Sequence, residues 1–173
     1  MFRDATPADF PAILALNEAF VAVLSPLDNE RLARLHAQAA MHRVIGEDGQ
    51  VEAFLLVFRE GADYDSPNYR WFAQRYARFL YVDRIVVGVG TQARGAGSRL
   101  YRDVYELASR DGVPLITCEF DIEPPNPASE RFHAKLGFHE VGRQHLDAGK
   151  KMVSLQALDV AAGNTLLGQV DVE

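Results

Sequence analysis

The chain has 173 residues, 48% hydrophobic and 24% charged, an ordinary globular composition at the size of one domain. A formal net charge of -6 at pH 7 leaves no broad basic surface for a phosphate backbone, so nucleic acid is not an expected partner. The single cysteine, Cys118, excludes an internal disulfide, and no apolar run is long enough for a membrane span or a secretory signal; the expected setting is a reducing cytoplasm, away from membranes.

Met1 to Ala5 reads as a short strand. Thr6-Pro7-Ala8-Asp9 then supplies a capping hydroxyl, a first-turn proline and an early carboxylate, which mark a helix start. The stripe Phe10, Ile13, Leu14, Asn17 and Val21 keeps helical spacing, and a second helix from about Asp28 repeats it at Leu32, Leu35 and Ala39. Arg43 to Ile45 and Val51 to Phe58 are β-rich runs joined through Asp48-Gly49, the signal of an antiparallel hairpin. Gly61 to Arg78 is turn-rich, then aromatic, and reads as a functional insertion with a short helix.

Leu80 to Val89, Ala96 to Arg110 and Leu115 to Phe120 form a β-α-β unit, the helix carrying Leu100, Val104, Leu107 and Ala108 on one stripe. A brief helix over Asn126 to Leu136 stops at Gly137, and strands near Phe138 to Gln144 and Lys151 to Leu158 close the domain. Antiparallel strands feeding one β-α-β unit describe a mixed, α+β-like sheet rather than a doubly wound one. The predicted domain is 1–158, with 159–173 a weakly ordered tail.

Between the fourth strand and its helix lies Gly88-Val89-Gly90-Thr91-Gln92-Ala93-Arg94-Gly95-Ala96-Gly97-Ser98. Glycines let the backbone come close to a ligand, and a helix N-terminus offers unpaired amides at the positive end of a dipole, so the stretch suits a pyrophosphate. A P-loop is rejected because Gly97-Ser98-Arg99 lacks the lysine. Gly88-Val89-Gly90-Thr91-Gln92-Ala93 does fit a dinucleotide fingerprint, with Glu119 ending the next strand as its ribose acid, but the 54 residues after Glu119 are too few for the further parallel units.

Gln92-Ala93-Arg94-Gly95-Ala96-Gly97 matches the Gln/Arg-x-x-Gly-x-Gly/Ala signature by which the GNAT superfamily of N-acetyltransferases binds the pyrophosphate of acetyl-CoA. Asn126 to Phe138 resembles the same family's Asn, then aromatic or histidine, then Lys-Leu-Gly-Phe segment. The resemblance covers Leu80 to Leu158 well and the N-terminal half only in element order. It implies a GNAT fold: a mostly antiparallel mixed sheet, the parallel fourth and fifth strands splayed apart, helices on both faces. It also implies that backbone amides of Gln92, Ala93, Arg94, Gly95, Ala96, Gly97 and Ser98 cradle the pyrophosphate. Strand atoms of Val86 and Val87 would pair with the pantetheine arm, with Asn126, Ser129 and Phe132 contacting it from the other side.

In the subgroup that acetylates the N-termini of ribosomal proteins, a strand glutamate followed by a hydrophobic residue is the base, and a tyrosine seven residues after the helix asparagine is the acid. Glu119-Phe120 and His133 occupy those places here. Two departures, the Pro124-Pro125 insertion and the histidine, set this chain apart from that subgroup's substrate. A partly buried Glu119 would take the amine proton; Asp83 is the competing base unless Asp83-Arg84 is only an ion pair. A backbone N–H near Val87 would serve the oxyanion. His133 either protonates the thiolate or packs against the coenzyme.

Cys118 reads as a buried inert thiol, and Tyr64, Tyr69, Trp71, Phe72 and Tyr76 as core, dimer contact or acceptor wall. His36, His42, His139 and His145 show no metal-ligand spacing, so no metal is expected. The expected activity is direct acetyl transfer from acetyl-CoA to a primary amine of a small molecule or peptide. The alternatives are a catalytically idle acyl-CoA-binding domain or a dinucleotide-binding protein; a homodimer is left open.

Overall fold

The computed structural model describes residues 1–162. In chain order the elements are β1 (Phe2–Asp4), α1 (Phe10–Ala19), α2 (Asn29–Gln38), β2 (Met41–Glu47), β3 (Gln50–Arg59), α3 (Pro67–Ala73), β4 (Leu80–Val87), α4 (Ala96–Asp111), β5 (Leu115–Glu123), α5 (Pro127–Lys135), β6 (His139–Leu146) and β7 (Lys151–Asp159). Side-chain caps set several helix starts: Asp28 accepts from Arg31 N at 2.7 Å, Ser66 from Tyr69 N at 3.3 Å and Asn126 from Ser129 N at 3.2 Å. Pro67 and Pro127 stand just inside the second and third of these starts, where a missing N–H costs nothing.

The first helix departs from expectation. Pro7–Asp9 forms a 3-10 turn and the α-helix begins only at Phe10. Pro11 has no N–H to give the Pro7 carbonyl, so the α ladder cannot start at Thr6. Asp9 turns back instead, accepting from Thr6 N at 2.9 Å and from both terminal nitrogens of Arg3 at 2.7 and 2.8 Å, and these bonds hold its carboxyl far below the usual range.

The seven strands form one sheet in the order β1-β2-β3-β4-β5-β7-β6. Every neighbouring pair is antiparallel except β4 and β5, which are parallel and share only Leu80↔Ile116 and Tyr81↔Thr117 before they diverge. On one face Val57, Leu80, Val82, Ile116 and Cys118 bury against Leu100, Tyr101, Val104 and Ala108 of α4. On the other face Phe54 and Val86 meet Phe10, Ile13 and Leu32, while Leu56, Phe58, Tyr81 and Leu155 meet Tyr64, Tyr69 and Phe72.

The aromatic stretch expected as a functional insertion is therefore mainly core: Tyr69 is 2% exposed and Phe72 is sealed. Truncating such a buried aromatic costs about 3–5 kcal/mol, which is reason enough for its composition. Tyr69 also staples the connection, donating to Arg59 O at 2.6 Å while accepting from Ala62 N at 2.9 Å. Packed structure runs past the predicted boundary at 158, since β7 includes Asp159 and Val160 is buried with its N–H on Pro114 O at 3.0 Å. Most of the predicted tail, 163–173, lies outside the described residues.

Candidate active site

The gap between β4 and β5 makes the site. Thr117 Oγ1 donates to Leu80 O at 2.9 Å at the closed end. Beyond it the strands separate around a cavity of about 670 Å³ that passes through the sheet. Alternation along β5 sends Cys118 and Phe120 to the α4 and α5 face and Glu119 and Asp121 to the opposite one. In β4, Leu56 pairs with Arg84 and Val57 with Val82, leaving Asp83 as a bulge. A bulge re-aims side chains, and here Asp83 and Arg84 both serve the face of α1 and α3.

Glu119 sits where the strands part. Tyr81 donates its hydroxyl to Oε1 at 2.9 Å, and Oε2 is buried without a hydrogen-bond partner. Burial and then the charge of Asp83 push this carboxyl up to about 8; Tyr81, Asn68 and Arg84 offset part of the rise. An ammonium brought beside it would restore the anion, so the group is poised to exchange a proton near neutrality.

Asp83 is fully engaged. Its Oδ1 accepts from the Tyr64 hydroxyl at 2.5 Å and its Oδ2 from Arg84 Nε at 2.6 Å, with the two side chains 5% and 4% exposed. Arg84 continues to Asn17 Oδ1 at 2.9 Å and Ser25 O at 3.3 Å, tying β4 to α1 and the loop after it. The pair is buried, and each oxygen of Asp83 already accepts one hydrogen bond.

His133 is 4% exposed and lines the α4 and α5 side of the cavity. Its Nδ1 lies 2.8 Å from Ser129 O, and a carbonyl only accepts, so Nδ1 carries the hydrogen. Nε2 then accepts from the Tyr101 hydroxyl at 2.8 Å. Burial lowers the basicity of the ring. In this arrangement Ser129 O holds the N–H of the ring and the Tyr101 hydroxyl its other nitrogen.

The glycine loop forms a 3-10 turn over Gln92–Arg94, passes Gly95 in the left-handed conformation (φ 66, ψ 20) and enters α4 at Ala96. Arg99 N donates to Gly95 O at 3.1 Å, the first bond of the helix, so the amides of Ala96, Gly97 and Ser98 precede its internal acceptors. Gly97 has a second reason to be glycine: a Cβ there would stand 2.9 Å from the Phe132 ring, so α5 closes on α4 through this contact. The exposed turn, with Gln92, Arg94 and Gly95 at the surface, fits an anion at a helix N-terminus.

The structure divides the predicted residues. Glu119, Asp83, His133, Asn126 and Ser129 line one cavity. Val86, Val87, Phe132 and the loop from Gln92 to Ser98 lie outside its lining; Val86 is buried on the α1 face, and the Val87 carbonyl accepts from Gln92 Nε2 at 3.1 Å. Sequence reading missed Tyr81, Tyr101, Asn68 and Asp121. Tyr101 carried a usable signal, since a tyrosine beside an apolar helix stripe needs a partner for its hydroxyl. The Pro124-Pro125 insertion proves compact: β5 runs on to Glu123 and the chain folds back so that Asn126 N reaches Asp121 O at 3.0 Å.

Residues 12–138 match the acetyltransferase (GNAT) family. The chain belongs to the GNAT family. Its fold is similar to Ard1 from Thermoplasma volcanium (14% identity, 92% of this chain and 96% of that one, TM-score 0.73). It is also similar to the ribosomal-protein-S18-alanine N-acetyltransferase from Escherichia coli (16% identity, 92% and 93%, TM-score 0.67). A third similar structure is yncA from Salmonella typhimurium, solved with its cofactor acetyl-CoA (20% identity, 92% and 93%, TM-score 0.66). No curated protein matches the sequence. The GNAT sheet, antiparallel on both sides of β4 and β5, overturns the dinucleotide-binding alternative, which needs parallel strands continuing beyond β5. Among the described residues no group of three or more His, Cys, Asp or Glu could hold a metal, and no helix is long and apolar enough to cross a membrane.

Proposed function

We propose that this GNAT protein transfers the acetyl group of acetyl-CoA directly to a primary amine of a small molecule or peptide. The observation that carries the reading is Glu119 Oε2, buried and unpartnered at the point where β4 and β5 part. When bound, acetyl-CoA supplies an activated thioester. Amides of Gln92, Ala93, Arg94, Gly95, Ala96, Gly97 and Ser98 hold its diphosphate, and Val86, Val87, Asn126, Ser129 and Phe132 flank the pantetheine arm.

Glu119, oriented by Tyr81, removes the amine proton as nitrogen bonds to the carbonyl carbon and the carbon–sulfur bond breaks. A carboxyl near 8 is close to the reference thiol value of about 8.5, so Glu119 can return that proton to the departing sulfur. His133 then serves to hold Tyr101 and wall the coenzyme side, and Asp83 to fix Arg84. The buried free thiol of Cys118 accords with a cytoplasmic setting.

The experiment is release of free thiol from acetyl-CoA across a panel of primary amines, with Glu119→Gln as control. Amine-dependent release that the variant loses supports the reading. Tight acetyl-CoA binding with no release across the panel would establish an idle acyl-CoA-binding domain instead.

A further inference from the structure

The acceptor side of the cavity holds more carboxylates than one amine needs. Asp121 follows Glu119 by two positions on β5, so both project to the same face about 6.6 Å apart along the strand. Asp121 is 8% exposed, lines the same cavity, and its Oδ2 is buried with no hydrogen-bond partner. Lys151 Nζ stands 3.5 Å away, an ion pair too long for a hydrogen bond, on a side chain 27% exposed at the cavity mouth. Asp147, in the turn between β6 and β7, adds further negative charge to the surroundings of Asp121.

The other charges of this lining are spoken for. Arg31 pairs with Asp65 at 2.5 Å and Arg84 with Asp83 at 2.6 Å. Once an ammonium restores the Glu119 anion, Asp121 and Asp147 still outnumber Lys151 by one, which leaves a net negative charge for a second cation. Val153, opposite Asp121 in register, provides apolar wall beside that acid, and Leu24 and Leu146 add apolar surface to the same cavity.

We propose that the acceptor is a short aliphatic diamine, its reacting nitrogen at Glu119 and its second ammonium held by Asp121. The inference rests on Glu119 marking the amine site, as in the proposed function. A peptide N-terminus with a neutral side chain would leave Asp121 with Lys151 alone, so it is the weaker occupant of this site.

The test is calorimetric titration of the CoA-saturated protein with 1,4-diaminobutane and with 1-aminopentane, equal in length but lacking the second cation. The diamine binds about tenfold tighter or more, and Asp121→Asn brings it down to the monoamine's affinity. Lys151→Gln, which removes the competing cation and keeps the carboxylate, tightens the diamine several-fold. Equal affinities for the two ligands, or a diamine preference that survives in Asp121→Asn, overturn the proposal. Thiol release is read separately: a diamine preference without turnover sinks acetyl transfer and leaves the diamine site standing.

Discussion

The two halves of the cavity solve opposite problems. On the side of α4 and α5, Tyr101, His133 and Ser129 satisfy one another within hydrogen-bonding distance, all neutral, and what remains is a wall. On the side of α1 and α3 the groups are acidic: Glu119 Oε2 is buried without a hydrogen bond, and Asp121 Oδ2 has only the 3.5 Å ion pair to Lys151. A buried carboxylate oxygen left unmatched is costly, so a fold keeps one where something else completes it. Under the proposed function the chemistry falls to the unsatisfied half and shape to the satisfied one, although both contain titratable side chains.

The sharpest way to break that contrast is to neutralise one atom in each half. Glu119→Gln lowers kcat by about 10²–10⁴-fold, the usual loss of a general base, read by thiol release. In the wild type kcat/KM climbs with pH through about 8 as Glu119 ionises, and the variant loses that limb. Stability moves the other way. Between the ordinary value of 4.5 and about 8 the folded state holds a proton that the unfolded chain releases, so this group's contribution is present at low pH and declines as pH rises through that window. Thermal melts therefore show the Tm of Glu119→Gln gaining on wild type between pH 5 and pH 8.

Asp83→Asn strips the counter-charge from Arg84, which is 4% exposed, and costs about 3 kcal/mol or more in urea unfolding. It also removes a negative charge that raises the Glu119 carboxyl, so the acid limb of kcat/KM shifts to lower pH. If Asp83 were the base, activity would vanish with no such shift. Tyr101→Phe leaves His133 Nε2 buried without its donor and costs about 1–3 kcal/mol of stability. Its kcat falls less than that of Glu119→Gln; an equal collapse would mean that the satisfied half is catalytic after all.

Much of the fold was legible in the sequence because its signals are local. The helices read from about Asp28 and from Asn126 start there, each with a side-chain cap, Asp48-Gly49 turns the β2–β3 hairpin with Gly49 at φ 75, and the Leu100, Val104 and Ala108 stripe buries as its spacing requires. Glu119 is singled out for a different reason, its match with Phe120 to the strand glutamate and hydrophobic residue of one GNAT subgroup. What was not legible depends on partners far apart in sequence: Tyr81 reaching Glu119, Tyr101 reaching His133, Tyr64 reaching Asp83. The Asp83 bulge belongs here too, because one extra residue on β4 shows only against its pairing with β3. For 61–78 the choice between core and acceptor wall also waited on the sheet: Tyr64, Tyr69 and Phe72 pack as core, while Tyr64 and Asp65 to Asn68 line the cavity as well.

The smallest expected effect tests the coenzyme loop. Gly97→Ala favours the helix by up to about 1 kcal/mol, because alanine is the better helix former. The same methyl would stand 2.9 Å from the Phe132 ring, so the ring must turn aside or carry α5 away from α4. The two terms oppose, and the melting temperature shifts little. Either shift alters the α5 side, with Phe132, Asn126 and Ser129, while Glu119 on β5 keeps its place. The variant should therefore raise the KM for acetyl-CoA several-fold with kcat nearly unchanged, separating coenzyme holding from proton transfer. A fall in kcat at constant KM would mean that the contact between α4 and α5 also sets the geometry around Glu119.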